Sequence, residues 1–286
     1  MSSTLQDPPD STLQAQPSGP PAETKGFRSL WVNRRLLALM VKRDCVGKYK
    51  GSLLGMLWPL INPLGHLILY TFLFSLVLKV KLGGNGSMSN FALYLMAGLL
   101  PWGAFSEAIA RSTTIILENP NLVKRVVFPL QILPPIAVTS ALVTEMMAFV
   151  ILLAGILLFQ HYLPLSIIYL PLVILSQILL TAGLAWFVAS LSVYIRDIGH
   201  VMALFLSAWM YATPIVYPAS ALPKKLEFML WINPMAGIVL DYRRVLLEGL
   251  PPDWPHYASY TAVAAVVFLL GFKFFQGTQK SFADVM

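Results

Sequence analysis

Apolar residues gather along this chain into six runs, at 53–78, 91–110, 130–159, 165–193, 199–216 and 257–275. A helix needs roughly 20 mostly apolar residues to cross the hydrocarbon core of a bilayer, so each run reads as one crossing. The third and fourth runs are long enough for a tilted helix or a helix with an added interfacial turn. The stretch 161–164, ending in Pro164, keeps them apart as two spans.

The polar positions are patterned too. Over 27–52, Leu30, Trp31, Leu36, Leu37, Leu39, Met40 and Val41 interleave with Arg28, Arg34, Arg35, Lys42, Arg43, Lys48 and Lys50. At helical spacing this predicts a basic amphipathic helix, too charged to cross a bilayer and suited to lie on one. Between the fifth and sixth runs, residues 217–256 mix apolar and charged positions. The stretches 223–231 and 235–248 read as two short external helices at or dipping into the outer interface, punctuated by Pro223, Pro234 and Pro251. Residues 1–26 are rich in Pro, Ser, Gln and Thr, a composition expected to form a disordered tail. The expected organisation is a tail at 1–26, an interfacial helix at 27–52, a six-helix transmembrane domain at 53–275 and a cytoplasmic C-terminal tail at 276–286. The fold class is an all-α polytopic membrane protein.

Composition agrees with that class. Hydrophobic residues make up 57% of the 286 positions and charged residues 12%, whereas a soluble domain carries about 25% charged residues to cover its surface. The net charge of +7 sits beside apolar runs and carries no nucleic-acid motif, so anionic lipid is the simpler partner than nucleic acid. The single cysteine, Cys45, excludes an internal disulfide. His66, His161, His200 and His256 lack ligand spacing, and no metal site is expected.

Lysine and arginine near span ends set orientation. In a six-span arrangement Lys25, Arg28, Arg34, Arg35, Lys42, Arg43, Lys48, Lys50, Arg111, Lys124, Arg125, Arg196, Lys273 and Lys280 share one side. Lys79, Lys81, Lys224, Lys225, Arg243 and Arg244 share the other. The richer side is expected to be cytoplasmic, with both termini on it.

No phosphate loop of the GxxxxGK[ST] type is present: Gly47-Lys48 is followed by Tyr49. Nucleophile elbow, zinc-protease and EF-hand patterns are missing as well, so the chain is expected to catalyse nothing itself. His66 in the first run and Glu145 in the third are ionisable groups at span depth, where a partner or water is expected. Glu145 could be neutral or paired across a dimer.

An ordered series of short motifs is present instead. Lys48-Tyr49-Lys50-Gly51-Ser52 leads through Trp58-Pro59 to Asn62-Pro63. Gly98-Leu99-Leu100-Pro101-Trp102 and Glu107 follow. Then come Glu118-Asn119-Pro120-Asn121-Leu122-Val123-Lys124-Arg125, Tyr194-Ile195-Arg196-Asp197, Thr213-Pro214-Ile215-Val216-Tyr217-Pro218 and Asn233-Pro234. Over about residues 30–275 this series resembles the membrane permeases of ABC-2 type polysaccharide exporters, which move O-antigen, capsule or teichoic acid chains on a lipid anchor. The Glu118–Arg125 stretch is similar to the O-antigen and teichoic acid branch.

The resemblance implies a homodimer in the bacterial inner membrane, with the export path between the copies. It also implies a separate ABC ATPase subunit that binds ATP and Mg, leaving this chain with no cofactor. The loop 111–129 would be the coupling element, with Glu118, Asn119, Pro120, Lys124 and Arg125 as contacts. Arg196 and Asp197 would be a second contact, or Asp197 would cap the fifth span. Arg34, Arg35, Lys42, Arg43, Lys48 and Lys50 have two readings: an anchor on anionic lipid, or a receiver for the pyrophosphate of a polyprenyl-linked glycan. Trp58, Tyr70, Phe74, Trp102, Phe105, Phe205, Trp209 and Tyr211 could line a path on which sugar rings stack, or pack at interfaces and between helices. A related permease for a drug or lipid is the alternative within transport. A membrane-embedded glycosyl- or acyltransferase is the alternative outside it, and would need catalytic Asp, Glu or His clusters at a span end.

Overall fold

A computed structural model describes residues 27–73, 88–124 and 128–286. The expectations for the 1–26 tail, for Lys79 and Lys81, and for Phe74 and Arg125 lie outside the described residues, as does the side chain of Tyr70. Among the described residues the elements are all helical, with no strand.

Two short helices open the described chain, α1 (Phe27–Val32) and α2 (Arg34–Tyr49). Asn33 separates them, and its side-chain amide donates to Ser29 O at 2.8 Å. The chain turns after α2 at Gly51, whose φ of 86° is open to glycine at no steric cost. Helix α3 (Trp58–Thr71) starts with Pro59 in its first turn, where the missing N–H is not needed.

Helix α4 (Met88–Ser112) runs to the short α5 (Pro120–Val123). The long α6 (Leu133–Gln160) ends at His161, which adopts the left-handed conformation at φ 62° and closes the last turn through its N–H to Leu157 O. That left-handed cap and Pro164 are the physical form of the break expected at 161–164. Helix α7 (Leu170–Tyr194) returns, α8 (Ile198–Ala212) leaves again, and α9 (Phe228–Ile232) and α10 (Pro234–Leu246) lie between α8 and α11 (Trp254–Thr278). The final α12 (Phe282–Val285) folds back, with Phe282 fully buried against Phe275 and Tyr194. The segment expected as a C-terminal tail is thus ordered by one aromatic anchor.

Among the described residues, four stretches are long and apolar enough to cross a bilayer: Asn90–Ser112, Leu130–Gln160, Leu165–Tyr194 and Trp254–Val285. The described part of α3 covers 14 residues and α8 covers 15. At about 1.5 Å per residue, a helix of that length falls short of a core about 30 Å thick. Helix α8 stops early because Pro214 follows Thr213, and the residue before a proline is pushed to extended geometry.

Helices α7 and α11 pack in direct backbone contact. A Cβ built on Gly271 would lie 2.0 Å from Gly183 O, and one on Gly183 would lie 2.5 Å from Val267 O. Small residues allow this approach, which replaces the hydrophobic drive that lipid does not supply. Trp186 then packs edge-to-face on Phe268 and Phe272 at 5.2 and 4.8 Å and donates its indole N–H to Gln131 O. Helix α10 wedges among α4, α7 and α11. Of its 13 residues 11 are buried, so it lies within the helical packing and not along a surface.

Candidate functional site

One end of the bundle gathers α2, the C-terminus of α4, α5 and the α7–α8 turn. Helical spacing puts Asp44 and Lys48 on one face of α2, and Glu107 and Arg111 on one face of α4. The two faces meet. Lys48 Nζ lies 2.6 Å from Glu107 Oε1 and 3.6 Å from Asp44 Oδ2. Arg111 reaches Asp44 Oδ1 at 3.3 Å through Nη2 and Glu118 Oε2 at 2.6 Å through Nη1. Five charged groups on three segments form one chain of ion pairs. Beside it lies a cleft of about 490 Å³, lined in part by Arg43, Asp44, Arg111, Glu118 and Asn119.

The expected coupling residues divide within this arrangement. Asn119 stands just before α5 without a side-chain cap bond to it, and donates its side-chain amide back to Ile115 O at 2.8 Å. Pro120 occupies the first turn and Val123 is buried beneath it. Glu118, Pro120, Asn121 and Lys124 are exposed. The element is a single short turn of helix, held from below by apolar contacts and presenting polar groups outward. Arg196 and Asp197 are exposed in the α7–α8 turn. The Asp197 carbonyl accepts from His200 and Val201 N–H, while its side chain makes no cap bond. This turn borders the α4 end, since a Cβ on Gly199 would lie 3.6 Å from Thr113 Oγ1.

The basic candidates divide as well. Arg34, Arg35, Lys42, Arg43 and Lys50 are exposed, and Arg34 stacks over the Trp31 ring at 5.2 Å. Lys48 is half-buried and already paired with Glu107, which sequence spacing within α2 alone could not reveal.

The aromatic candidates form a cluster and a rim. Trp102 and Phe105 are buried, 5.5 Å apart, and both pack on Trp209, which also meets Phe205 at 5.2 Å. Phe205 and Tyr211 expose about half or more of their surface along α8. Trp58 is half-buried and donates to Ser52 Oγ at 2.7 Å. A cavity of about 530 Å³ lies between α3, α4 and α6, with Asn62, His66, Ser106, Glu107 and Glu145 among its lining groups. His66 is exposed and its Nδ1 lies 3.0 Å from Asn62 O.

A second polar assembly, at α10, was not legible in the sequence. Glu145 accepts from Gln177 Nε2 at 2.7 Å. The Tyr242 hydroxyl lies 2.7 Å from both Glu145 Oε1 and Gln177 Oε1, and its one proton serves one of them at a time. Glu145 therefore has partners within its own chain. Asp241 accepts from the Tyr260 hydroxyl at 2.7 Å and from Asp253 N–H. Arg243, counted above as an external loop charge, is 2% exposed. The Asn233-Pro234 pair carried the one available signal: Asn233 Oδ1 caps α10 by accepting from Met235 and Ala236 N–H.

The all-helical packing and the long apolar spans define a polytopic membrane protein. The chain belongs to the ABC-2 type transporter family, whose profile matches residues 35–240. It is 30% identical over 263 residues to the O-antigen export system permease protein RfbA of Myxococcus xanthus, covering 90% of this chain and 97% of that one. A protein of the same name from Klebsiella pneumoniae is 25% identical over 252 residues, covering 88% and 95% of the two chains. The polysialic acid transport protein KpsM of Escherichia coli is 23% identical over 226 residues, covering 78% and 84%.

Proposed function

We propose that this chain is the transmembrane subunit of an ATP-driven exporter that moves a lipid-linked polysaccharide, with O-antigen as the leading cargo, across a bacterial inner membrane. The observation that carries the reading is the relationship over nearly the whole length to permeases named for O-antigen export. The subunit works as a homodimer with six spans per copy and both termini in the cytoplasm. Val201, Leu204, Phe205 and Tyr211 present an apolar face on α8 that a second copy would cover.

A separate ABC ATPase supplies hydrolysis with its own ATP and Mg. It docks against α5, where Pro120, Asn121 and Lys124 stand exposed over the ion-pair chain, with Arg196 and Asp197 as a neighbouring contact. The exposed bases of α1 and α2 meet anionic lipid headgroups and the anchor pyrophosphate, a chemistry that arginine serves through paired N–H donors.

The test is deletion of the gene followed by complementation. Cells lacking the protein should accumulate the lipid-linked glycan on the cytoplasmic face and lose it from the surface. Restoration by the wild-type gene, with the ATPase co-purifying, supports the reading. Normal surface glycan in the deletion strain overturns it.

A further inference from the structure

Pro214 ends α8 by withholding an N–H, and carbonyls around the break lose their helical partners. Side chains of the α10 segment supply new ones. Arg243 donates from Nη1 to Pro214 O and from Nη2 to Ile215 O, the latter at 2.6 Å. Its Nε donates to Tyr94 O on α4 at 3.1 Å, and its guanidinium lies 3.5 Å from the centre of the Tyr94 ring. Asn233 works beside it, donating to Ala212 O at 3.3 Å and Thr213 Oγ1 at 3.0 Å and accepting from Trp209 Nε1 at 2.9 Å. Gly98 leaves the space: a Cβ there would sit 2.6 Å from Arg243 Nη2.

Among the described residues, no carboxylate lies within ion-pair distance of Arg243; the ion pairs found all join α2, α4 and the turn before α5. The cation is held by carbonyl dipoles, an aromatic face and the negative end of α8. A buried charge is a poor device for stability alone, because an apolar side chain of similar volume often does as well. What the guanidinium adds is direction: divergent donors that fix two segments to α10 at once.

We propose that Arg243 is a positioning residue for export, tying the outer end of α8 to α4 and α10 so that the exposed α8 face and the segment 217–256 move as one body. Its activity arm and its nucleotide comparison rest on the export reading above, while the nucleotide-free distance comparison of wild type with Arg243→Gln does not.

The experiment uses the full chain with its ATPase in lipid nanodiscs, in a Cys45→Ala background. Spin labels go on Ser207→Cys of α8 and Leu250→Cys of the 217–256 segment, both exposed and outside the face assigned to the second copy, with labelled protomers diluted by unlabelled ones. With Arg243 present, the distance distribution should be the same in the nucleotide-free and nucleotide-bound complexes. Arg243→Gln should broaden or shift it, and should lower glycan exported per ATP hydrolysed roughly tenfold, equivalent to about 1.4 kcal/mol. Arg243→Lys, which keeps the charge and loses the fork, should fall between. A distance that changes between the two nucleotide states with Arg243 present overturns the proposal, and needs no variant at residue 243. So does Arg243→Gln with unchanged distance and coupling, or with less protein in the membrane but normal export per assembled complex. If the wild type itself exports nothing, the export reading fails, and the nucleotide-free distance comparison still judges the tie.

Discussion

Arg111 and Glu118 form a two-oxygen ion pair across the turn that follows α4, with Nη1 2.7 Å from Oε1 and 2.6 Å from Oε2. The same guanidinium holds Asp44 on α2. One side chain therefore joins the amphipathic helix, the end of a span and the base of α5. A force applied at α5 has a short route to α2 through this arginine.

Removing Arg111 should cost more than removing either carboxylate. Glu118 is about half exposed, and an exposed pair is worth only about 0–1 kcal/mol. Asp44 is 11% exposed, and without Arg111 its Oδ1 loses its partner and only Lys48 remains, 3.6 Å from Oδ2, a loss of roughly 1–3 kcal/mol. Thermal unfolding of the purified protein should rank Arg111→Gln as the least stable, then Asp44→Asn, then Glu118→Gln. The Asp44–Arg111 double-mutant cycle should show a coupling of about 0.5–3 kcal/mol. Strict additivity would mean that the pair does not join the two helices.

Lys124 separates docking from folding. It is exposed at the end of α5 and makes no ion pair among the described residues. Lys124→Glu should leave unfolding of the permease unchanged while lowering ATPase co-purification about tenfold, which needs only about 1.4 kcal/mol. Glu118→Lys would be a poorer probe, because it also sets a cation against Arg111. Unchanged co-purification with Lys124→Glu would remove α5 as the docking element.

Gly183 and Gly271 should be among the least tolerant positions of the bundle. Any side chain at Gly271 meets backbone at 2.0 Å, and overpacking of this kind typically costs about 1–3 kcal/mol or more. Gly271→Ala should sharply reduce folded protein in the membrane. Gly103→Ala and Gly277→Ala, where nothing lies within 4 Å of the new Cβ, are the controls and should behave as wild type. Equal behaviour of all three would refute the close α7–α11 contact.

How far these features were legible in the sequence depends on whether their cause is local. Long apolar runs marked the major helices, because spanning a bilayer requires continuity along the chain. The 161–164 break was legible for the same reason, through Pro164. The run 199–216 overshot α8, since its residues stay apolar past Pro214 although the helix cannot continue. The α10 assembly was hidden by distance. Asp241, Tyr242 and Arg243 look like solvent-facing polar positions of a surface helix until their partners are known. Glu145 lies 97 residues before Tyr242, and Tyr94 lies 149 residues before Arg243. Periodicity shows which positions are polar, not which distant group will satisfy them. The aromatics make the same point: Phe105 and Tyr211 read alike in sequence, yet one is fully buried and the other 69% exposed.

The proposed sidedness rests on the distribution of basic residues. Arg243 is buried by carbonyls, so it does not weigh as a loop charge on the outer side. Removing it from the count widens the excess on the α2 and α5 side, which the positive-inside rule assigns to the cytoplasm. Asn121 and Ser220 are both exposed and lie on opposite sides in the six-span arrangement. In a Cys45→Ala background, Asn121→Cys should resist a membrane-impermeant thiol reagent in intact spheroplasts and react once the membrane is opened. Ser220→Cys should react in both preparations. Reaction of both cysteines in intact spheroplasts would place the two segments on the same face and rule out an odd number of crossings between them. Reaction of Asn121→Cys alone would invert the orientation and put α5 beyond the reach of any cytoplasmic ATPase.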